Sequence, residues 1–382
     1  MLARRIALGI AAWVVAATSV VVLVARPEDC PSITVNDAQK GIDSAVTWLQ
    51  ANQHANGGWL YRYNRATRTD LGGYNYARHS GAVLALYQAG DIATADRGVS
   101  FALDRLHREH GWAAFGTGDS FDVGASALLV AALGQRRLDT GDPKYDEVMA
   151  DLGRFLVAMT LPDGRVQADW RPSTQTASGT LAFYTGEAWF ALSRLERLFP
   201  DAEWREPSER IGRYVMLRRD DAENIYPPTS DHWGSYAMDE TLHWKPAPSP
   251  ELTRMMDDYV KRLVGVFGVQ TRFESQRTGS GLSLLLRGHQ TLPAGLGTIG
   301  EGMGALARYE ATRGRADEQA KLLNRISCVD GRLLARQVSG TGDPSADGAW
   351  FHSDVTQVDD QQHPIESLVA YVHLASKASS SG

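Results

Sequence analysis

Acids and histidines recur at six places in the 382-residue chain, often beside an aromatic or arginine. These are Tyr74-Asn-Tyr76-Ala-Arg78-His79, Asp119-Ser-Phe-Asp122, Tyr184-Thr-Gly-Glu187, Asp231-His232-Trp233, Gly300-Glu301-Gly302 and Asp359-Asp360-Gln-Gln-His363-Pro-Ile-Glu366. Carboxyls and imidazoles of this kind move protons in general acid–base catalysis, provided their environments set their pKa values apart. Glu187 sits inside an apolar run, where an acid must be paired or carry a raised pKa. Glu187, Asp360, His363 and Glu366 are therefore the candidate catalytic groups. Tyr76, Arg78, His79, Asp122, Asp231, His232, Trp233 and Glu301 are the candidate substrate-binding groups, with Arg78 presenting a fork suited to a carboxylate or sulfate. Local explanations compete with these readings. Asp122 and Asp231 also read as helix caps, and Pro364 with Glu366 makes an ordinary helix start.

Other chemistries lack their signatures. No His-Glu-x-x-His, paired cysteines at ligand spacing or calcium-loop pattern is present, so no metal is expected. Neither phosphate-cradling glycine motif occurs, nor a Gly-x-Ser-x-Gly elbow for a nucleophilic serine, and no cofactor is expected. Residues 31–382 carry 36 basic and 43 acidic side chains, a net charge of −7 that excludes a nucleic-acid footprint.

These groups are positioned by helices. Apolar residues recur at a 3.6-residue period in twelve segments that form six pairs. First members run over 36–53, 91–109, 142–160, 201–219, 250–273 and 315–327. Second members run over 76–89, 122–138, 180–198, 230–244, 297–313 and 362–376. Links between pairs are short and punctuated by Gly, Pro and Asp, whereas links within pairs are long and rich in glycine and aromatics. With antiparallel neighbours, every long link emerges at one end, where sites are commonly built. The second members, rich in small apolar residues, are the expected inner ring of an all-α (α/α)6 toroid over residues 36–376. An open superhelical array is the alternative. In the toroid, Asp360 and His363 face Glu187 and Arg78-His79 across the mouth. Trp59, Tyr61, Tyr63, Tyr74, Trp112, Trp170, Tyr226, Trp244 and Trp350 add aromatics to the long links and inner-helix starts, either for stacking on sugars or as plugs between helices.

Gln53-His-Ala-Asn-Gly57-Gly-Trp59 resembles the QW repeat of the squalene-cyclase and protein-prenyltransferase α/α toroids. His110-Gly-Trp112 and Leu161-Pro-Asp-Gly164 match it only in part. The barrel also resembles that of six-hairpin glycosidases, polysaccharide lyases and uronyl C5-epimerases, a likeness of fold that does not choose a reaction. The cyclases protonate their substrate from an Asp-x-Asp-Asp motif. Here Gln357-Val-Asp359-Asp360 has glutamine at its first position.

Residues 6–24 form nineteen positions without charge, enough to span a bilayer and longer than the usual signal-peptide core. Arg4 and Arg5 assign residues 1–5 to the cytoplasm, with 25–35 as a linker, the toroid outside and 377–382 as a disordered tail. A cleaved signal peptide is the competing reading. Cys30 and Cys328, the only cysteines, could pair in an oxidising compartment. The expectation is a single-pass membrane protein with an extracytoplasmic carbohydrate-active domain. It would be a glycoside hydrolase, or a lyase or epimerase, with a polysaccharide or glycan as ligand. An isoprenoid-handling enzyme and a noncatalytic glycan- or partner-binding toroid are the alternatives.

Overall fold

The computed structural model describes residues 2–22, 27–180, 182–200, 203–225 and 230–380. Residues 23–26, which join the expected span to its linker, and Tyr226 lie outside the described residues. Helix α1 (Leu2–Val20) is long and apolar enough to cross a membrane and is buried nowhere against the rest of the chain.

Six helices carry small and apolar residues on nearly every side and form the inner ring. They are α3 (Tyr76–Gln88), α5 (Val123–Thr140), α7 (Ala182–Leu198), α10 (His232–Thr241), α13 (Pro293–Thr312) and α15 (Asp359–Ser380). Each packs on the next and α15 packs back on α3, so the ring closes. That closure settles the toroid against the open array. The outer ring is α2 (Val35–Ala51), α4 (Ile92–Leu103), α6 (Asp146–Ala158), α8 (Arg205–Leu217), α11 (Pro250–Ser275) and α14 (Ala316–Leu334). These helices bury one stripe and expose the other, as their amphipathic sequences require. Helix starts are capped locally: Thr34 and Asp37 form a reciprocal capping box on α2, and the Asn75 side chain accepts from the Arg78 N–H on α3.

The QW-like stretch acts as a bracket between outer helices. Trp59 is buried and donates from its indole N–H to the Leu49 carbonyl at 3.0 Å. Gln53 accepts from Arg97 on α4 at 2.7 Å and donates to the Thr94 carbonyl at 3.1 Å. Gly57 has φ +88°, and a Cβ there would lie 2.1 Å from the Arg97 carbonyl oxygen. The sixth pair repeats the device at Gly348-Ala-Trp350, of which the sequence offered Trp350 only as an aromatic of the long link. The Trp350 indole donates to the Leu333 carbonyl at 2.8 Å, and Gly348, at φ +90°, presses on the Ser44 carbonyl of α2. Proline stands where that motif would have its glutamine.

Short strands add to the all-helical reading by stitching the long links together. Strands β1 (Arg62–Asn64) and β2 (Thr69–Asp70) pair in the first link, and β1 also pairs antiparallel with β8 (Val355–Gln357) of the sixth. Strands β3 (Leu106–Glu109) and β4 (Trp112–Phe115) form a hairpin where the second outer helix was expected to continue. Strand β5 (Phe121–Asp122) pairs with β6 (Asp169–Arg171), which pairs with β7 (Thr176–Ser178), joining the second link to the third. Cys30 and Cys328 are disulfide-bonded, with Cα atoms 5.0 Å apart. Helix α15 extends to Ser380, past the expected start of a disordered tail at 377, because Ala375-Ser-Lys-Ala continues a helix-compatible run.

Candidate functional site

The N-terminal ends of the inner helices bring most of the expected groups together. His363, in the first turns of α15, forms a 2.8 Å hydrogen bond through Nδ1 to Oε2 of Glu301 on α13. Glu301 is fully buried, and burial lifts its pKa to about 7. Glu366 lies one helical turn beyond His363, and burial followed by the charge of Glu301 pushes its pKa well above the usual range. Glu301 Oε2 and His363 Nδ1 share one proton between them, while Glu301 Oε1 and both Glu366 oxygens have no hydrogen-bond partner among the described residues. With Glu301 ionised, Nδ1 carries the shared proton and Nε2 is the lone-pair nitrogen of a neutral imidazole, since burial also lowers the pKa of His363. Glu366 has no exposed surface and borders a hollow at the other end of the toroid.

His232 opens α10 against this group, with its ring 5.4 Å from that of His363 and nearly perpendicular to it. Burial lowers its pKa to about 3, and its Nε2 has no hydrogen-bond partner among the described residues. A cavity of about 330 Å³ reaches His232 between Phe183, Ser230, Gln270 and Thr291. Trp233 packs 6.0 Å from His363 and is a hydrogen-bonding neighbour of Glu187. Glu187 is buried, and burial with the nearby charge of Asp122 raises its pKa to about 8. Asp122 stands at the N-cap of α5 without making a side-chain cap bond, and burial and Asp169 raise its pKa too.

Arg78 spans the first and sixth pairs. Its Nε lies 3.1 Å from Asp359, and its Nη1 donates to Gln357 at 2.6 Å and to the Tyr61 hydroxyl at 2.5 Å. Tyr76 is half-buried, edge-on to Phe115. Asp360 accepts from the Gln357 and Ala294 backbone N–H groups at 3.0 and 3.3 Å, tying α15 to the start of α13. Burial and then Asp359 raise its pKa to about 7. With Asp360 engaged by backbone and Asp359 by Arg78, neither acid stands as the free proton donor that the cyclase motif requires.

Two expected binding groups are turned elsewhere. His79 is buried between α3 and α4, bonded to Tyr74 and the Gly98 carbonyl at 2.7 and 2.9 Å and stacked on Phe101. It follows Arg78 by one residue and so points about 100° away around the helix. Asp231 caps α10 through the Gly234 N–H at 2.9 Å and forms a buried ion pair with Arg219, also at 2.9 Å. Tyr61, Asp169, Tyr236 and Gln357 complete the constellation; the sequence offered Tyr61 only as a long-link aromatic and Gln357 only as the departure from the cyclase motif, and gave Asp169 no signal.

His232, Glu301 and His363 offer ligand atoms within 4.8 Å of one another, a set of the kind transition metals accept. The Nδ1–Oε2 hydrogen bond already satisfies one pair of them. Of the aromatics, Trp59, Trp112, Trp244 and Trp350 are buried plugs, and Trp170 hydrogen-bonds Glu109. A larger hollow, about 680 Å³, lies at the opposite mouth. Two of its arginines are paired there: Arg194 with Glu240 at 2.6 Å and Arg308 with Asp239 at 2.7 Å.

No protein-family profile matches the chain, and no curated protein is similar to it in sequence. Solved structures share its fold. Cellobiose 2-epimerase from Spirochaeta thermophila DSM 6192 superposes with a TM-score of 0.62 at 11% identity, covering 90% of this chain and 98% of that one. The GH76A α-1,6-mannanase of Salegentibacter sp. HEL1_6 gives 0.61 at 11%, covering 89% and 100%. An unsaturated glucuronyl hydrolase specific for heparin gives 0.57 at 10%, covering 90% and 99%. The fold is the six-hairpin α/α toroid of these proteins.

Proposed function

We propose that this chain is a membrane-anchored, extracytoplasmic enzyme acting on a glycan, and that its reaction is proton abstraction at a sugar carbon, as in an epimerase or lyase. The observation that carries this reading is the hydrogen bond between His363 Nδ1 and Glu301, which leaves a neutral Nε2 at the mouth. His363 would take a proton from carbon beside a carbonyl or carboxylate, and Glu301 would stabilise the imidazolium formed. Arg78 would hold the substrate's anionic group, and Trp233 would stack on a sugar ring. Glu187, protonated up to about pH 8, would supply a proton to the carbanion or the leaving oxygen. The epimerase, mannanase and glucuronyl hydrolase of the same fold make a saccharide the substrate class to test first.

A second reading, glycoside hydrolysis, is favoured by the Glu187–Asp122 pair. A protonated carboxyl beside a second carboxyl is the acid and base that bond cleavage requires. One experiment separates the two. The full chain is incubated in D2O with uronate-containing and neutral envelope glycans, and NMR follows deuterium at ring carbons alongside a reducing-end assay. Deuterium uptake or an unsaturated product supports abstraction. New reducing ends with neither support hydrolysis, and no change across the panel favours a noncatalytic glycan binder.

A further inference from the structure

A seven-residue helix, α12 (Gly281–Arg287), interrupts the link between α11 and α13. Its polarity is inverted relative to a soluble surface helix. Ser283 and Arg287, four residues apart, face the protein: the Ser283 hydroxyl donates to the Gln276 carbonyl at 2.9 Å, and Arg287 is 8% exposed and donates to the Gln276 side chain at 2.5 Å. Leu282, Leu285 and Leu286, spaced to share the opposite face, are 68%, 80% and 46% exposed. Leu292, just beyond, is 45% exposed. A contiguous leucine face held outward by an anchored polar face marks a surface that something apolar covers.

The position of α12 identifies the covering. Arg287 also donates to the backbone carbonyl of Val22 at 2.5 Å, at the C-terminal end of the apolar N-terminal helix. The chain that follows is pinned beside it. Gln276 donates to the Pro27 carbonyl at 3.0 Å, Arg325 pairs with Glu28 at 3.4 Å, and Cys30 is bonded to Cys328. Nineteen helical residues rise about 28 Å, the depth of a bilayer's hydrocarbon core. With α1 in a membrane, Val22 lies at its surface, and α12 lies there too.

We infer that α12 is a membrane foot: its leucine face inserts into the interfacial layer of the bilayer that α1 crosses. The inference rests on the anchored reading of α1 and adds a second contact. Because α12 belongs to a long link, the foot lies at the same end as the His363 site and holds that mouth toward the lipid surface. A lone helix leaves the domain free to tilt, whereas an interfacial helix beside it restricts that motion.

The test uses the full chain reconstituted in phosphatidylcholine–phosphatidylglycerol nanodiscs. Leu285→Cys, Trp13→Cys and Ile92→Cys are labelled singly with an environment-sensitive fluorophore, the native cysteines being disulfide-bonded. Trp13 lies in α1, and Ile92 is an exposed residue starting α4, at the opposite end from the mouth. The Leu285 probe is expected to emit blue-shifted and to be quenched by nitroxide-labelled lipids severalfold more than the Ile92 probe. Quenching at Trp13 with none at Leu285 overturns the foot and leaves the anchor standing. Quenching at neither position overturns both.

Discussion

A histidine serves as a base only through the nitrogen its neighbours leave unprotonated, so His363 depends on Glu301 for its tautomer as well as its orientation. Under the proposed reaction, His363→Asn is expected to lower kcat by about 10²–10⁴-fold, the usual contribution of a general base. Glu301→Gln should lower it by less, while shifting the acid limb of the pH–rate profile. Circular dichroism checks that both variants remain folded; wild-type turnover in His363→Asn would remove His363 from the chemistry, and in Glu301→Gln would remove Glu301 as the group that sets its tautomer. The profile itself follows from three groups. His363 must be neutral and Glu301 ionised; burial holds the first below the ordinary 6.5 and lifts the second to about 7, so activity rises with pH on the acid side until Glu301 is ionised. Glu187 must hold its proton, so activity falls above about pH 8, and Glu187→Gln should abolish that alkaline limb along with most of the activity. These groups were legible in the sequence as acids and histidines at inner-helix starts. What was not legible is which way each side chain turns. His79 and Arg78 are adjacent in sequence, yet one fills the space between helices and the other spans the mouth.

At the scale of elements, the site depends on how closely α13 and α15 approach. Gly297, Gly300 and Gly304 lie along α13 where α15 presses on it. A Cβ at Gly297 would fall 2.5 Å from the His363 backbone carbon and 2.6 Å from the Pro364 nitrogen. Backbone cannot rotate aside as a long side chain can, so Gly297→Ala must push the helices apart. It is expected to cost about 1–3 kcal/mol and to loosen the His363–Glu301 bond. Thermal unfolding and kcat should fall together, and an unchanged melting temperature would show that α15 is not held there. The helices were readable from their period, with ends mostly within a few residues. The stitched strands were not, because pairs such as β1 with β8 join segments about 290 residues apart through two or three residues each. Runs that short carry no period of their own. Gly348-Ala-Trp350 escaped for a related reason: proline replaces the motif's glutamine, while the glycine and tryptophan still perform the packing.

The whole molecule buries more carboxyls than its buried arginines neutralise, and this gives its stability a direction in pH. Glu187 and Asp330 have pKa values raised to about 8, and Glu301 and Asp360 to about 7, against ordinary values of 4.5 for Glu and 3.8 for Asp. Each therefore binds a proton on folding between those limits. The associated stability is complete below the ordinary value and is lost as pH rises toward the folded one. Asp231 and Glu240 act in the opposite sense: buried beside Arg219 and Arg194, they are held below their usual range and withdraw stability as pH falls through it. The two sets oppose each other around the ordinary carboxyl values, and above about pH 5 the raised set prevails, so stability falls as pH rises from there. Asp330 isolates the effect, since it projects from α14 toward α15 and, among the described residues, only Ser367 donates to it, at 2.5 Å. The melting temperature is expected to fall from about pH 5 to 8, and Asp330→Asn should flatten part of that slope without altering the pH dependence of activity. Calorimetry across the range decides it: a melting temperature that is level or rises with pH would mean that these carboxyls ionise freely in the folded protein, and Glu187 would then lose its standing as an acid at neutral pH.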